Sequence, residues 1–148
     1  MTKKEAKKIH NALKPMKAKV DKELAKFRAF AARQFHPFIK KVMDKYPEIT
    51  AFSWEQYTPS YCDGEDCTFN VGMRKLFVEG RKSGIGFYDL EYEVGGKYVY
   101  LQQAAEDIED FVMSFDETDL EAWFGPSSSV TVTKTGMNID EDSSLDDN

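Results

Sequence analysis

From Met16 to Tyr46 the apolar residues Val20, Leu24, Phe27, Ala31, Phe35, Phe38 and Val42 recur at separations of three and four. That is the period of an amphipathic helix. Lys17, Lys19, Lys22, Lys26, Arg28 and Arg33 fall mostly off the stripe and give the helix a basic outer surface. The stripe reads as core packing against a sheet rather than as an exposed coiled-coil or membrane-surface face. The ring of Pro37 would clash with the preceding turn, so a kink or break is expected near His36. Lys40, Lys41 and Lys45 suit the negative end of the helix dipole, and Pro47 stops the element. Upstream, residues 2 to 14 predict a separate short basic helix carrying Ile9 and Leu13, with Pro15 opening the next one.

The pattern then changes to alternation. Ile49 to Thr58 is rich in β-branched and aromatic residues, with Phe52, Trp54 and Gln56 on one face and Ala51, Ser53, Glu55 and Tyr57 on the other. Pro59 cannot donate to a ladder and ends the strand. Asp63-Gly64 supplies a turn, and Cys67, Phe69 and Val71 alternate as a second strand. The two strands enclose a polar loop of roughly eight to ten residues, long enough to serve recognition.

The residues Trp54, Gln56, Tyr57, Thr58, Pro59, Asp63, Gly64, Cys67 and Phe69, at these spacings, resemble a signature of small uncharacterised proteins of bacteria and their phages. The likeness covers about a tenth of the chain. It implies a defined loop in a phage-related protein and carries no catalytic roles.

Further along, Met73 to Glu79 and Ile85 to Val94 predict strands, the second with Tyr88, Leu90, Tyr92 and Val94 inward and Phe87, Asp89, Glu91 and Glu93 outward. Gly95-Gly96 makes a hairpin turn from which Lys97 to Leu101 pairs back. Gln102 to Phe115 is a second amphipathic helix, apolar at Ile108, Phe111, Val112 and Phe115 and acidic at Glu106, Asp107, Glu109 and Asp110. Asp119 to Phe124 adds a turn or two, closed by Gly125-Pro126. Ser127 to Lys134 has strand spacing at Val130 and Val132 and suits an edge. Residues 136 to 148 hold too little apolar surface to offset their ordering entropy and are expected to be disordered unless bound.

These elements amount to an α+β fold. An antiparallel sheet of four to five strands carries a long N-terminal helix and a second, acidic helix on one face. The expected organisation is a basic arm over residues 1–15, one domain over 16–135 and an acidic tail over 136–148.

Charge sharpens this picture. The net charge of -6 conceals a division: residues 1–46 hold 14 basic and four acidic side chains, leaving six basic and 22 acidic in the remainder. Such asymmetry points to a charged macromolecular partner. There is no apolar run long enough to span a membrane and no signal-peptide h-region, so the chain is expected in the cytoplasm, or in the host cytoplasm if phage-encoded. Cys62 and Cys67 are there expected as free thiols or a buried small hydrophobe rather than as a disulfide.

No constellation dictates a reaction. Asp63, Glu65, Asp66 and Tyr57 are the groups that a hydrolase-like alternative would use, but a solvated loop does not separate their pKa values. The D-G-E-D run lacks the ligand spacing of an EF-hand. The cysteines have no histidine near in sequence to activate them, and with His10 and His36 they do not make a zinc site. GRKSGIG matches neither phosphate-binding glycine pattern. No catalytic residue, metal or cofactor is therefore assigned. The expected function is non-enzymatic binding and modulation of a protein partner through Tyr57, Asp63, Glu65 and Asp66 of the loop and Glu106, Asp107, Glu109 and Asp110 of the acidic helix. Nucleic acid on the basic N-terminal helices is the other binding reading, through phosphate contacts.

Overall fold

A computed structural model describes residues 2–59, 64, 67–90 and 98–141. The chain begins with α1 (Lys3–Asp44), started by a capping box. The Glu5 backbone N–H donates to Thr2 Oγ1 at 3.2 Å, and the Thr2 N–H returns to Glu5 Oε2 at 3.1 Å. Pro15 and Pro37 both lie inside this one helix, so the separate helix expected before Pro15 is not formed and the chain does not break at Pro37. Each removes a hydrogen bond to the carbonyl four residues back, at Asn11 and Arg33. Both of those residues are exposed, so water can take the freed carbonyls.

Five strands follow the order β3-β2-β1-β4-β5, every neighbouring pair antiparallel. They are β1 (Ile49–Tyr57), β2 (Asn70–Val78), β3 (Ile85–Gly86), β4 (Ser127–Thr133) and β5 (Met137–Glu141). Between β3 and β4 come α2 (Tyr98–Met113) and α3 (Glu117–Phe124). The fold is therefore α+β, as the patterns predict. The predicted faces of β1 hold: Phe52, Trp54 and Gln56 are buried under the helices. Two register shifts adjust the pairing. Phe52 faces Leu76 while Trp54 faces Met73, so β2 carries an extra residue there. That bulge puts Met73 and Leu76, three positions apart, on one buried face, which strict alternation would forbid.

Several expectations are corrected. The two predicted segments around Gly72 form a single β2. The strand expected from Ile85 ends at Gly86, where a turn bonds Asp89 N–H to the Gly86 carbonyl at 3.0 Å. That turn buries Phe87 and exposes Tyr88, reversing their predicted facing. Residues 98–101 begin α2 rather than a returning strand, and the predicted Gly95-Gly96 turn lies outside the described residues. β4 is not an edge: it sits between β1 and β5. Met137 to Glu141 is ordered as that edge because Met137 and Ile139 lie opposite Val132 and Val130 and pack on the core, while Glu141 pairs with Arg28.

The core lies between the inner sheet face and the helices, including Phe35, Ile39 and Met43 of α1, Ile108 and Val112 of α2 and Leu120 and Phe124 of α3. Only the C-terminal part of α1 takes part. Residues 2–27 are exposed, and Val20, Leu24 and Phe27 of the predicted core stripe face solvent, as does Phe38 further on. At 1.5 Å per residue the 42-residue helix is about 63 Å long, more than the body it packs on can cover.

Candidate functional site

The loop end of β1 is anchored by a buried polar knot. Trp54 Nε1 donates to Gln56 Oε1 at 2.9 Å, and Gln56 Nε2 donates to the Leu120 and Gly125 carbonyls at 2.8 and 2.7 Å. Ser128 Oγ donates to the Phe124 carbonyl at 2.6 Å. These side chains bond carbonyls around the C-terminal end of α3, among them that of Phe124, which the helix itself leaves without a donor. Gln56 and Ser128 can therefore be fully buried without loss. Trp54 and Gln56, two residues of the loop signature, thus hold β1 to α3.

Tyr57 follows directly and alternates to the opposite, open face of the sheet, beside Glu55 and Ser127. There Glu55 meets Arg74 at 3.3 Å. Asp63, Glu65 and Asp66 lie outside the described residues. Cys67 is disulfide-bonded, which corrects the expectation of a free thiol there; the chain's other cysteine is Cys62, also outside the described residues. Gly64 has φ of 87°, the left-handed conformation that the Asp-Gly turn was expected to need.

The acidic residues of α2 lie on the helix side of the sheet, so the structure does not bring them together with Tyr57. Glu106 and Asp110 are exposed, while Asp107 and Glu109 are half-buried. The Tyr46 hydroxyl donates to Asp107 Oδ2, and Gln103 Nε2 donates to Oδ1 at 3.1 Å. These two bonds, helped by Lys45, hold the Asp107 carboxyl below its ordinary value of 3.8 against the opposing effect of desolvation. Desolvation and the adjacent Glu109 carboxylate, which accepts its hydrogen bond, push the Tyr88 phenol above its ordinary 10.0.

A pH dependence follows. A depressed carboxyl pKa stabilises the fold above the unfolded-state value, and that stability disappears as pH falls through the folded-state value. Tyr46→Phe should therefore lower the melting temperature by a few °C at neutral pH. The gap to the native chain should narrow as pH drops below 3.8, and thermal melts across an acid series measure it. A gap independent of pH would show that the phenol does not act through the Asp107 carboxylate.

The groove that charge and alternation did not reveal is apolar. It has a volume of about 300 Å³ and lies between α1, at Phe27, Phe30, Ala31 and Phe38, and the α2–α3 junction, at Phe115 and Trp123. The signal for it was present in the sequence as the width of the α1 stripe, which exceeds what the sheet can cover. Among the described residues, no three His, Cys, Asp or Glu side chains cluster as a metal site would require, and no helix is long and apolar enough to cross a membrane.

The chain matches no protein-family model, no curated protein and no solved structure.

Proposed function

We propose that this is a small non-enzymatic, phage-related interaction protein that binds and modulates a macromolecular partner, offering the acidic surface of α2 and α3 to a basic surface on that partner. The supporting observation is the single sign of the charges that α2 and α3 themselves carry. Between Tyr98 and Thr133 the sequence has eight Asp and Glu residues and no Lys, Arg or His. Glu106, Asp110, Asp116, Glu117 and Asp119 are all exposed. A field of one sign steers a complementary partner and rejects like-charged ones. Tyr57, on the other face of the sheet, is a second contact and would engage separately.

The test is affinity capture from a lysate of the source cells, comparing the native chain with a variant carrying Glu106→Gln, Asp110→Asn, Glu117→Gln and Asp119→Asn. The variant should retain the captured partner at least tenfold less well, because rim and surface charges set encounter and specificity. Equal capture would remove the acidic surface from the account, and the same comparison with Tyr57→Ala tests that second contact.

One observation favours a second reading. The ten Lys and Arg residues between Lys3 and Arg28 lie on a helix that is exposed as far as Phe27. They could neutralise a nucleic-acid backbone, in which case affinity for DNA or RNA must fall steeply with salt.

A further inference from the structure

We propose that α1 pairs antiparallel with α1 of a second copy of this chain, so that the exposed N-terminal half of each helix fills the apolar groove of the other. The pattern of the stripe points there first. From Leu13 to Phe38 the apolar positions 13, 16, 20, 24, 27, 31, 35 and 38 are separated by three, four, four, three, four, four and three residues. That series reads the same in both directions about a midpoint between Leu24 and Phe27. Two copies related by a twofold axis at that midpoint place Leu13 opposite Phe38, Met16 opposite Phe35 and Val20 opposite Ala31. Self-complementarity of this kind is what a twofold interface requires. The underlying 11-residue repeat gives 3.67 residues per turn, close to a straight helix, so the stripe stays on one side over this length.

The groove supplies the second argument. Leu13 and Met16 of the incoming helix reach the partner at the level of Phe38 and Phe35, where Phe115 and Trp123 wall the groove. Ile9, Leu13, Met16, Val20, Phe27, Phe30 and Phe38 are between 46% and 66% exposed, and Leu24 is 37% exposed. Covering most of that surface on both copies reaches the ~800 Å² per partner of a stable interface. Left in water, so long an apolar strip on a single chain is unusual.

Charge selects the direction and the occupant. Residues 3–28 hold ten basic and three acidic side chains. A parallel pair would lay these like-charged halves side by side. The antiparallel pair instead lays each basic half against the other copy's less basic C-terminal half of α1, where Arg33, Lys40, Lys41 and Lys45 stand against Asp44, and beside the acidic α2–α3 surface, where Asp116 and Glu117 follow Phe115 of the groove wall. In the dimer Asp116 and Glu117 meet the other copy's basic helix, which leaves Glu106 and Asp110 of α2 to the macromolecular partner proposed above.

Sedimentation equilibrium or light scattering of the full chain at micromolar concentration should give twice the chain's 17.0 kDa. Val20→Glu, at a position 60% exposed, should give 17.0 kDa at the same concentration with an unchanged circular-dichroism spectrum. Carbodiimide cross-linking of mixed isotopically labelled and unlabelled chains should join Lys14 or Lys17 of one copy to Asp116 or Glu117 of the other. A native chain that stays monomeric, including one that instead binds vesicles of anionic lipid as a monomer, would overturn the proposal. So would a dimer that survives Val20→Glu, or one whose cross-links join the two N-termini.

Discussion

Trp54→Ala is expected to remove about 3–5 kcal/mol of folding stability, enough to leave a marginal domain largely unfolded. The indole is fully buried at the middle of the sheet. It stacks on Phe52 with centroids 6.2 Å apart and meets Phe124 and Phe35 edge-on at 5.7 and 6.3 Å. Truncation opens a cavity between the sheet and α3 that rigid rings cannot collapse to fill. It also strips Gln56 Oε1 of its donor, and an unsatisfied buried acceptor costs roughly 1–3 kcal/mol. Trp54→Phe separates the two effects, because it keeps most of the ring contacts and loses only the N–H; its loss should fall near that lower range. Urea unfolding followed by circular dichroism measures both. A loss below about 1 kcal/mol for the alanine variant would contradict the burial of Trp54.

The same region shows what the sequence made legible. Alternation placed Phe52, Trp54 and Gln56 on one face of β1, and all three are buried there. What alternation could not express was the bulge opposite them. An extra residue in β2 changes the period locally, and only the partner strand reveals it. The Ile85 segment was misread for a related reason: a short apolar run leaves the sheet as soon as a turn is available, here at Gly86 to Asp89, and period alone does not record that. The acidic face of α2 was visible in composition, but its separation from Tyr57 was not, because which face of a sheet a helix covers is a tertiary fact. β5 was hidden by Asn138, Asp140 and Glu141. Backbone pairing with β4 and burial beside Ile139 and Met137 outweigh a polar composition that, taken alone, reads as disorder.

The long helix combines both lessons, and Phe35 is where they meet. The helical period announced helix on both sides of Pro15 but not one continuous α1, and amphipathicity alone does not say how much of a stripe the body covers. Burial begins in earnest at Phe35, whose ring lies 4.9 Å from Phe115, 5.4 Å from Phe124 and 5.6 Å from Phe111. It is the point at which α1 is clamped to α2 and α3. Phe35→Ala should therefore cost about 3–5 kcal/mol, as removal of a buried aromatic does. Its effect should also be local in a way that Trp54→Ala is not. In the native chain, amide exchange should be slow from Phe35 to Met43 and faster in the exposed turns before Leu13, since an unsupported stretch of helix is only marginally stable in water. In Phe35→Ala the protected segment should shrink towards Ile39 and Met43, which retain their contacts with the sheet, while β1 and β4 remain protected. Uniform loss of protection across helix and sheet would mean that Phe35 supports the whole core rather than the junction with α2 and α3. Phe35→Leu keeps apolar volume in the clamp and should recover most of the lost stability, which places the effect in packing and not in the helix's own propensity.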